Sequence, residues 1–496
     1  SLMVDYTLTA AVSTAAGVAA VTSAFPLLLP YRVGLAILSL ALITVINLRG
    51  VRESATIFAL PTYLFIFSMI GLLGVGIWKT AIGLPPVEAV SGIMPAHATE
   101  GITLFLLLRA FSSGCSAMTG TEAVSNGVPA FREPQARNAS ITLVWMAIIL
   151  GSFFLGTSFL ANHYHVLPSA DETVLSQLTR AITGRGPFYY VIQAATALIL
   201  FLAVNTSFAD FPRLASIMAG DRYFPRQFIF RGDRLAFSTG IIALGALAGL
   251  LILLVGADVH NLIPLYAVGV FLAFTFSQSS MCKRWWTRRE PGWRKGMIIN
   301  GIGAVVTFMV TSIILVTKFL HGAWIIAVLL PLLVLAFKAI RFHYENVSRQ
   351  LFLKDQAIPN FPLPPSKTIV LISDLNRATA RILRYARTLS TDVVALHVTD
   401  DLVSAAQLRE KWKRCHVRTN LTLLESPYRS LVSPVLAYLD SIKAENQTTP
   451  VTIIVSAIAP RHWWQYLLHN QDGLRLKVAL FLRPNTVVID YPFHLE

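Results

Sequence analysis

The dominant pattern of the chain is a series of long apolar blocks separated by short polar loops, over residues 1–342. Each block has roughly the length that a helix needs to cross about 30 Å of hydrocarbon. The second and fourth blocks are short for complete spans. The pattern predicts about ten membrane-spanning helices, at Leu2–Ala24, Val33–Leu48, Ala55–Trp78, Ile102–Met118, Ile141–Ala161, Phe188–Phe208, Thr239–Val255, Leu262–Ser279, Met297–Val316 and Ala323–Phe337.

The pattern changes after Arg341. Four prolines mark a predicted linker, residues 343–366. Residues 367–496 then alternate between short β-rich runs and runs with helical periodicity, which predicts a small α/β domain with a mostly parallel sheet. The predicted strands are Thr368–Ser373, Asp392–Val398, Val451–Ile458 and Thr486–Asp490, and the predicted helices are Arg377–Leu389 and Asp401–Cys415. The predicted fold class is an all-α polytopic membrane domain followed by this α/β domain.

Charge adds an orientation to this picture. Hydrophobic residues make up 54% of the chain and charged residues 14%, and the formal net charge is +15. Alternate loops between the predicted spans hold fifteen basic residues in one set and five in the other. The positive-inside rule places the richer set, and with it both ends of this chain, in the cytoplasm. This rule explains the basic excess better than a nucleic-acid partner does.

Sequence signatures of enzymes and of bound cofactors are absent. The three cysteines, Cys115, Cys282 and Cys415, form no CxxC pair, so they indicate neither a zinc site nor a disulfide framework. The chain contains no HExxH, P-loop or GxSxG motif. We therefore predict that the protein is not an enzyme and holds no cofactor.

A polar stretch interrupts the fourth apolar block. Residues 112–127 combine Gly114 and Gly120 with small hydroxyl residues, including Thr119, and with the acid Glu122. Unwound backbone at membrane depth survives where it lines a cavity or is buried in protein, and transporters use such breaks to coordinate ions. The alternative is a helix that ends at the inner surface and leaves Glu122 in solvent.

The first block carries a second polar group. Asp5, Thr9 and Ser13 are spaced four residues apart, so they share one face of a helix. An acid and two hydroxyls in an apolar helix suit a dehydrated cation or a proton relay. A position of Asp5 at the inner membrane surface explains the pattern equally well.

Two further residues have less specific surroundings. Tyr266 follows Pro264 in the middle of a predicted span, where packing is favoured over a role in closing a substrate site. Asp210, followed by Pro212 and Arg213, is interpreted as a cap at the inner end of a helix.

Four motifs together resemble the amino acid–polyamine–organocation transporter superfamily, with the bacterial potassium importers as its most similar branch. They are Asp5–Ser13, Gly50–Ser54, Thr119–Phe131 and Asn205–Leu214. The resemblance implies a LeuT-like fold of twelve helices with two inverted five-helix repeats. In that fold the first predicted span is the third helix and the broken span the sixth. We therefore expect helices 3–12 in this sequence and the first two helices outside it.

The resemblance also implies a function, proton-coupled potassium import across the bacterial plasma membrane. Oxygen ligands replace the hydration shell of a selected potassium ion. The expected potassium ligands are Asp5, Thr119 and Tyr266, and the expected proton carriers are Glu122 and Asp5. The full cation pathway implied by the resemblance comprises Asp5, Thr9, Ser13, Thr119, Glu122 and Tyr266.

For the C-terminal region, the resemblance implies a cytoplasmic domain related to universal-stress-type α/β domains. Such a domain supports a homodimer, and the importers are inhibited by cyclic di-AMP. The region has no glycine-rich nucleotide fingerprint, so direct nucleotide binding by it stays open.

Two other functions compete with potassium import. One is a proton-coupled amino acid or polyamine permease on the same fold. Such a permease would bind an α-carboxylate through free amides at half-helix N-termini. The other is a receptor-like sensor whose C-terminal domain detects a ligand and whose membrane part does not transport.

Overall fold

A computed structural model describes most of the chain in two compact units, Ser1–Phe352 and Leu353–Glu496. The described residues are 1–50, 55–88, 103–115, 120, 124–125, 127–128, 131–169, 171–230, 237–319, 322–352, 366–426, 431–445, 450–459 and 472–494.

The described part of the first unit is helical. Its α-helices are α1 (Leu2–Ala24), α2 (Arg32–Leu48), α3 (Ala55–Ile82), α4 (Leu104–Cys115), α5 (Gln135–His163), α6 (Val174–Thr183), α7 (Pro187–Gly220), α8 (Ser238–Val255), α9 (Val259–Arg288), α10 (Trp293–Thr317) and α11 (Ala323–Gln350). Short 3₁₀ helices occur at Pro26–Tyr31 and Arg226–Phe228.

Within the described residues, nine helices are long and apolar enough to cross a membrane. These helices confirm the prediction of a multi-pass membrane protein. The second span, Pro26–Leu48, is longer than the predicted Val33–Leu48 because the 3₁₀ helix leads directly into α2. Prolines are tolerated in the first turn of a helix, so Pro26 begins this span, and Pro30 lies inside the 3₁₀ helix two residues before α2 begins.

Several predicted boundaries differ from the structure; α7, for example, runs to Gly220 instead of Phe208. The fourth predicted span, Ile102–Met118, is described only as the 12-residue helix α4, and residues 102 and 116–118 lie outside the described residues. Helix α11 continues to Gln350, into the segment 343–366 predicted as a linker. An i,i+4 ion pair between Arg341 and Glu345 supports this extension, since such pairs stabilise exposed helical turns.

Helix α1 lies inside the first unit. It is rich in small residues, which allow helix backbones to approach closely in a membrane. At Gly17 an added Cβ would lie 3.0 Å from the ring of Phe201 on α7, so the glycine makes room for that ring. At its C-terminal end, the carbonyl of Ser23 accepts a hydrogen bond from Tyr189 Oη on α7 at 3.0 Å.

The crossing of α7 and α8 is closer still. A Cβ added at Gly240 on α8 would lie 2.8 Å from the Cα of Pro212 on α7. Pro212 lies inside α7, so this contact joins backbone to backbone. The crossing leaves no space for a side chain at position 240.

The second unit is a two-sided α/β domain. Its strands are β1 (Thr368–Leu371), β2 (Val393–Thr399), β3 (Asn420–Glu425), β4 (Val451–Ala459) and β5 (Thr486–His494). They form a sheet in the order β3-β2-β1-β4-β5, and all four strand pairs are parallel. The prediction of a small α/β domain with a parallel sheet is confirmed.

Helices cover both faces of this sheet. They are α12 (Arg377–Leu389), α13 (Leu402–Arg414), α14 (Val432–Glu445) and α15 (Asp472–Phe481). Ile369 packs in a core with α14 and α15, and its neighbour Val370 packs in a second core with α12 and α13. Burial on both faces explains why β1 and β2 are continuous apolar runs. The sequence does not predict β3, which lies at the sheet edge and is half-buried, and it does not predict α14 or α15.

We predict that Gly240→Ala destabilises the protein by about 1–3 kcal/mol, because overpacking at the α7–α8 crossing must displace backbone. The matched control is Gly249→Ala on the same helix, where an added Cβ would meet only side chains, at 3.6 and 3.8 Å. Thermal unfolding in detergent measures both. Equal midpoints for the two variants would contradict the close crossing.

Candidate functional site

The two most enclosed membrane helices carry most of the described candidate residues. In the apolar 18-residue stretch of each candidate span, 67% of the residues of α1 and 61% of those of α9 are buried. In the other candidate spans the buried share is 33% or less. Asp5, Thr9 and Ser13 lie on α1, and Tyr266 lies on α9. The polar candidates are therefore inside the helical unit, where exchange with bulk water is restricted.

Asp5 is the central group of this site. Its side chain is fully buried, and Thr9 Oγ1 donates a hydrogen bond to Asp5 Oδ1 over 3.5 Å. Ser13 is buried one turn further along the same face. A carboxylate and two hydroxyls therefore follow one another along the interior of α1, as their spacing predicts.

Helix α9 passes close to this part of α1. A Cβ added at Gly269 would lie 3.9 Å from the Cα of Asp5 and 3.8 Å from Leu8. Tyr266 is one turn before Gly269, is 8% exposed, and belongs to the same buried cluster as Leu8. The structure thus brings the helix face that carries Tyr266 to the turn between Asp5 and Thr9.

The two candidate residues at the predicted helix break lie outside the described part of the chain. Thr119 and Glu122 are not among the described residues. Helix α4 is described as far as Cys115, and Gly120 has a φ of +87°, in the left-handed region that glycine adopts readily. The last described turn of α4 is held to α10 by a contact of 3.3 Å between Ser112 Oγ and Thr317 Oγ1.

The structure adds a pair of residues that the sequence does not connect. Helix α7 runs to Gly220, so the interpretation of Asp210 as a helix cap is wrong. The Asp210 carboxylate instead accepts a hydrogen bond from Tyr6, and the positive charge of Arg213 lies near it. Pro212 suggests a helix end in the sequence, but α7 continues through it. Asp210 therefore places a second acid against α1, beside the residue that follows Asp5.

A cavity of about 240 Å³ lies at the other end of α1. Among its lining residues, the acids Asp171, Glu172 and Asp258 outnumber the single arginine, Arg32. Glu172 is paired with Arg180 Nη2 at 2.9 Å, and Asp258 accepts a hydrogen bond from the backbone of His260 at 2.9 Å. An acidic cavity raises the local concentration of cations.

The C-terminal domain has a cavity of about 510 Å³ that is lined mainly by basic side chains among its charged residues. It lies at the carboxyl ends of β1 and β2 and includes Lys411, Arg414 and His397. Lys411 Nζ lies 3.0 Å from Asp374 Oδ2, and this hydrogen bond holds the pKa of Asp374 below its usual value. One acid faces three groups that are or can become cationic, which suits an anionic ligand.

Metal-ligand clusters are not a feature of the described residues. No group of three or more His, Cys, Asp or Glu side chains in the described part of the chain is placed to hold a metal ion. The candidate site on α1 and α9 offers one carboxylate and several hydroxyls instead. These are hard oxygen ligands of low total charge.

Comparison with known proteins gives matches over both units. The family model described as "Amino acid permease" matches residues 1–337, and that described as "KimA potassium transporter C-terminal domain" matches residues 365–493. The potassium transporter KimA of Bacillus subtilis (strain 168) is 44% identical over 504 aligned residues. The alignment covers 100% of this chain and 81% of that relative.

We predict that Tyr6→Phe destabilises the protein by about 1–3 kcal/mol, because it leaves the half-buried Asp210 carboxylate without this donor. Tyr164→Phe is the matched control, since the buried Tyr164 hydroxyl has no hydrogen-bond partner among the described residues. Heating followed by fluorescence-detected size exclusion gives both midpoints. An unchanged midpoint in Tyr6→Phe, or an equal loss in Tyr164→Phe, would contradict the Tyr6–Asp210 contact.

Proposed function

Because this chain belongs to the amino acid permease family and is homologous to a potassium transporter along its whole length, we propose that it imports potassium by symport with protons. The fully buried Asp5 carboxylate, with Thr9 on the same face and α9 alongside, is the observation that carries the proposal. An ionised carboxylate inside a membrane domain is costly and is usually functional or paired.

The chemistry of these groups fits a bare monovalent cation. Hydroxyl and carboxylate oxygens can replace the water shell of potassium, and one carboxylate balances one positive charge. The proposed ligands are Asp5, Tyr266 and Thr119, with Thr9 and Ser13 continuing the pathway along α1. The acidic cavity at the far end of α1 would collect cations before they reach these ligands.

Proton coupling follows from charge balance at a buried acid. A carboxyl group in a low-dielectric site must be neutralised by a bound proton or a bound cation, because an uncompensated charge is strongly disfavoured there. Symport requires both cations to be bound together, so a proton neutralises one carboxylate while potassium balances the other. We assign these two carboxylates to Glu122 and Asp5, with Glu122 as the first choice for the proton.

A proton-coupled amino acid or polyamine permease is the second candidate, and the match to an amino acid permease model favours it. An α-carboxylate substrate would need a cationic or amide anchor beside the site. The described face of α1 offers an acid and hydroxyls there. A sensor without transport is the third candidate, and the membrane site makes it the least favoured.

We predict that the full-length protein restores growth of a potassium-uptake-deficient bacterium at micromolar potassium. Asp5→Asn and Glu122→Gln should each lower initial potassium uptake at least about tenfold, equivalent to about 1.4 kcal/mol, because each removes a charge that binds cation or proton. Thr9→Val should lower uptake less. Uptake is measured at matched expression.

Thr7→Val is the matched control on the same helix. Its Oγ1 already donates to the Met3 carbonyl at 2.8 Å, so we expect uptake to be unchanged. Failure of the full-length protein to restore growth, together with uptake of a labelled amino acid or polyamine, would replace potassium import with the permease candidate. Retention of both activities in Asp5→Asn would remove Asp5 from the site.

We also propose that the C-terminal domain is a cytoplasmic universal-stress-type domain that takes part in inhibition by cyclic di-AMP. The parallel strand order and the basic cavity with Lys411 and Arg414 support this proposal. The cavity suits phosphate groups, because arginine and lysine bind phosphate through charge-assisted hydrogen bonds. Calorimetry compares the binding of cyclic di-AMP to the full-length wild type and to Lys411→Gln/Arg414→Gln. We expect the variant to bind more weakly, and unchanged binding would show that the cavity has no role.

A homodimer through the C-terminal domain is our proposal for quaternary structure. Helix α15 and the turn after it expose Leu474, Val478, Phe481 and Leu482 at 48–85% of their maximum. The first three recur at helical spacing, so they form one apolar face. Contiguous exposed apolar surface on a water-soluble domain marks a protein interface.

We predict that Val478→Glu/Phe481→Glu converts the dimer to a monomer, since charges at an apolar interface are desolvated without partners. Leu402→Glu/Val403→Glu is the control, because both of its residues are also exposed but lie on α13. Light scattering with size exclusion measures the mass of the purified full-length protein. A dimeric α15 variant would place the interface elsewhere.

A further inference from the structure

The hairpin between α9 and α10 concentrates positive charge and tryptophan in a short segment. Six basic residues lie within 283–295, and all six are exposed: Lys283, Arg284, Arg288, Arg289, Arg294 and Lys295. Glu290 is the one acid in this segment. It lies 3.7 Å from Arg284 and 3.8 Å from Arg288, so it offsets only part of the charge.

Two tryptophans organise the arginines. The guanidinium of Arg289 lies 5.6 Å from the ring centroids of both Trp286 and Trp293, and that of Arg294 lies 5.5 Å from Trp293. The two rings meet edge to face with centroids 6.2 Å apart. Cation–π contacts of this kind restrict the arginine side chains while leaving their N–H donors available for an anion.

The backbone holds this arrangement in place. Arg289 and Gly292 have φ values of +48° and +83°, which make the hairpin tight. A Cβ added at Gly296 would lie 2.5 Å from Cε2 of Trp285, so Trp285 rests directly on the backbone of α10. Deeper in the pair, Thr275 Oγ1 donates to Thr307 Oγ1 at 3.0 Å.

The hairpin joins two helices long enough to cross a membrane, so it lies at a membrane surface. Tryptophan prefers the headgroup region, and clusters of basic residues beside a membrane helix attract anionic lipids. Positive-inside topology accounts for the charges, but it requires neither arginine stacking nor the exposed ring of Trp286, which is 57% exposed.

We propose that this hairpin is a binding site for the headgroup of an anionic phospholipid. Arg288, Arg289 and Arg294 bind the phosphodiester, and Trp286 inserts among the headgroups. The site is independent of which solute the protein transports, so it stands or falls separately from potassium import.

Binding of fluorescently labelled phosphatidylglycerol and phosphatidylcholine to the purified full-length protein in neutral detergent tests the proposal. We expect the wild type to prefer phosphatidylglycerol. Arg288→Gln/Arg289→Gln/Arg294→Gln should weaken that binding at least about fivefold, because three phosphate-facing charges are lost. The control Arg377→Gln/Arg384→Gln/Arg409→Gln removes three exposed charges from α12 and α13 and should bind like the wild type.

Two further measurements, on the wild-type protein, test the proposal even if the hairpin variant folds poorly. Raising sodium chloride from about 0.05 M to about 0.5 M should weaken phosphatidylglycerol binding to the wild type, because salt screens exposed charges. Soluble glycerol 3-phosphate should not displace the labelled lipid at equal concentration. Equal binding of the two lipids, insensitivity to salt, equal loss in the control, or displacement by glycerol 3-phosphate would each overturn the proposal.

Discussion

A carboxylate enclosed in the interior of a membrane protein constrains everything around it. Asp5 is fully buried on α1, the most enclosed of the candidate spans in the described part of the chain. Such a group must be neutralised by a partner, a proton or a cation. Close helix packing makes the enclosure possible. Gly17 admits Phe201 beside α1, Gly269 brings α9 against Asp5, and Gly240 lets α8 approach α7.

The long apolar helices and most of the α/β domain could be predicted from the sequence, because they depend on local periodicity and on block length. Strands β1 and β2 are buried on both faces and read as apolar runs, whereas the edge strand β3 has no such signal. Pro26 and Pro30 obscured the start of a span, because the pattern does not distinguish a proline that begins a helix from one that ends it.

The candidate site was predictable only where its residues share one helix. The spacing of Asp5 and Thr9 predicts their contact, since both lie on α1. The bond between Tyr6 and Asp210 joins segments that are distant in sequence, so no local pattern signals it, and Pro212 points to a helix end that does not exist. The approach of α9 at Gly269 likewise depends on tertiary packing. The roles of all six predicted site residues stay predictions, and Thr119 and Glu122 also lie outside the described part of the chain.

The central claim is that potassium binds at the Asp5 carboxylate, and infrared difference spectroscopy of the purified full-length protein tests it most directly. Exchange of sodium for potassium should perturb a carboxylate stretching band in the wild type, because a cation ligand changes the symmetry of the carboxylate. The account predicts that this band is missing in Asp5→Asn and retained in Thr7→Val, whose hydroxyl bonds within its own helix. An identical potassium-induced carboxylate band in Asp5→Asn would contradict the account.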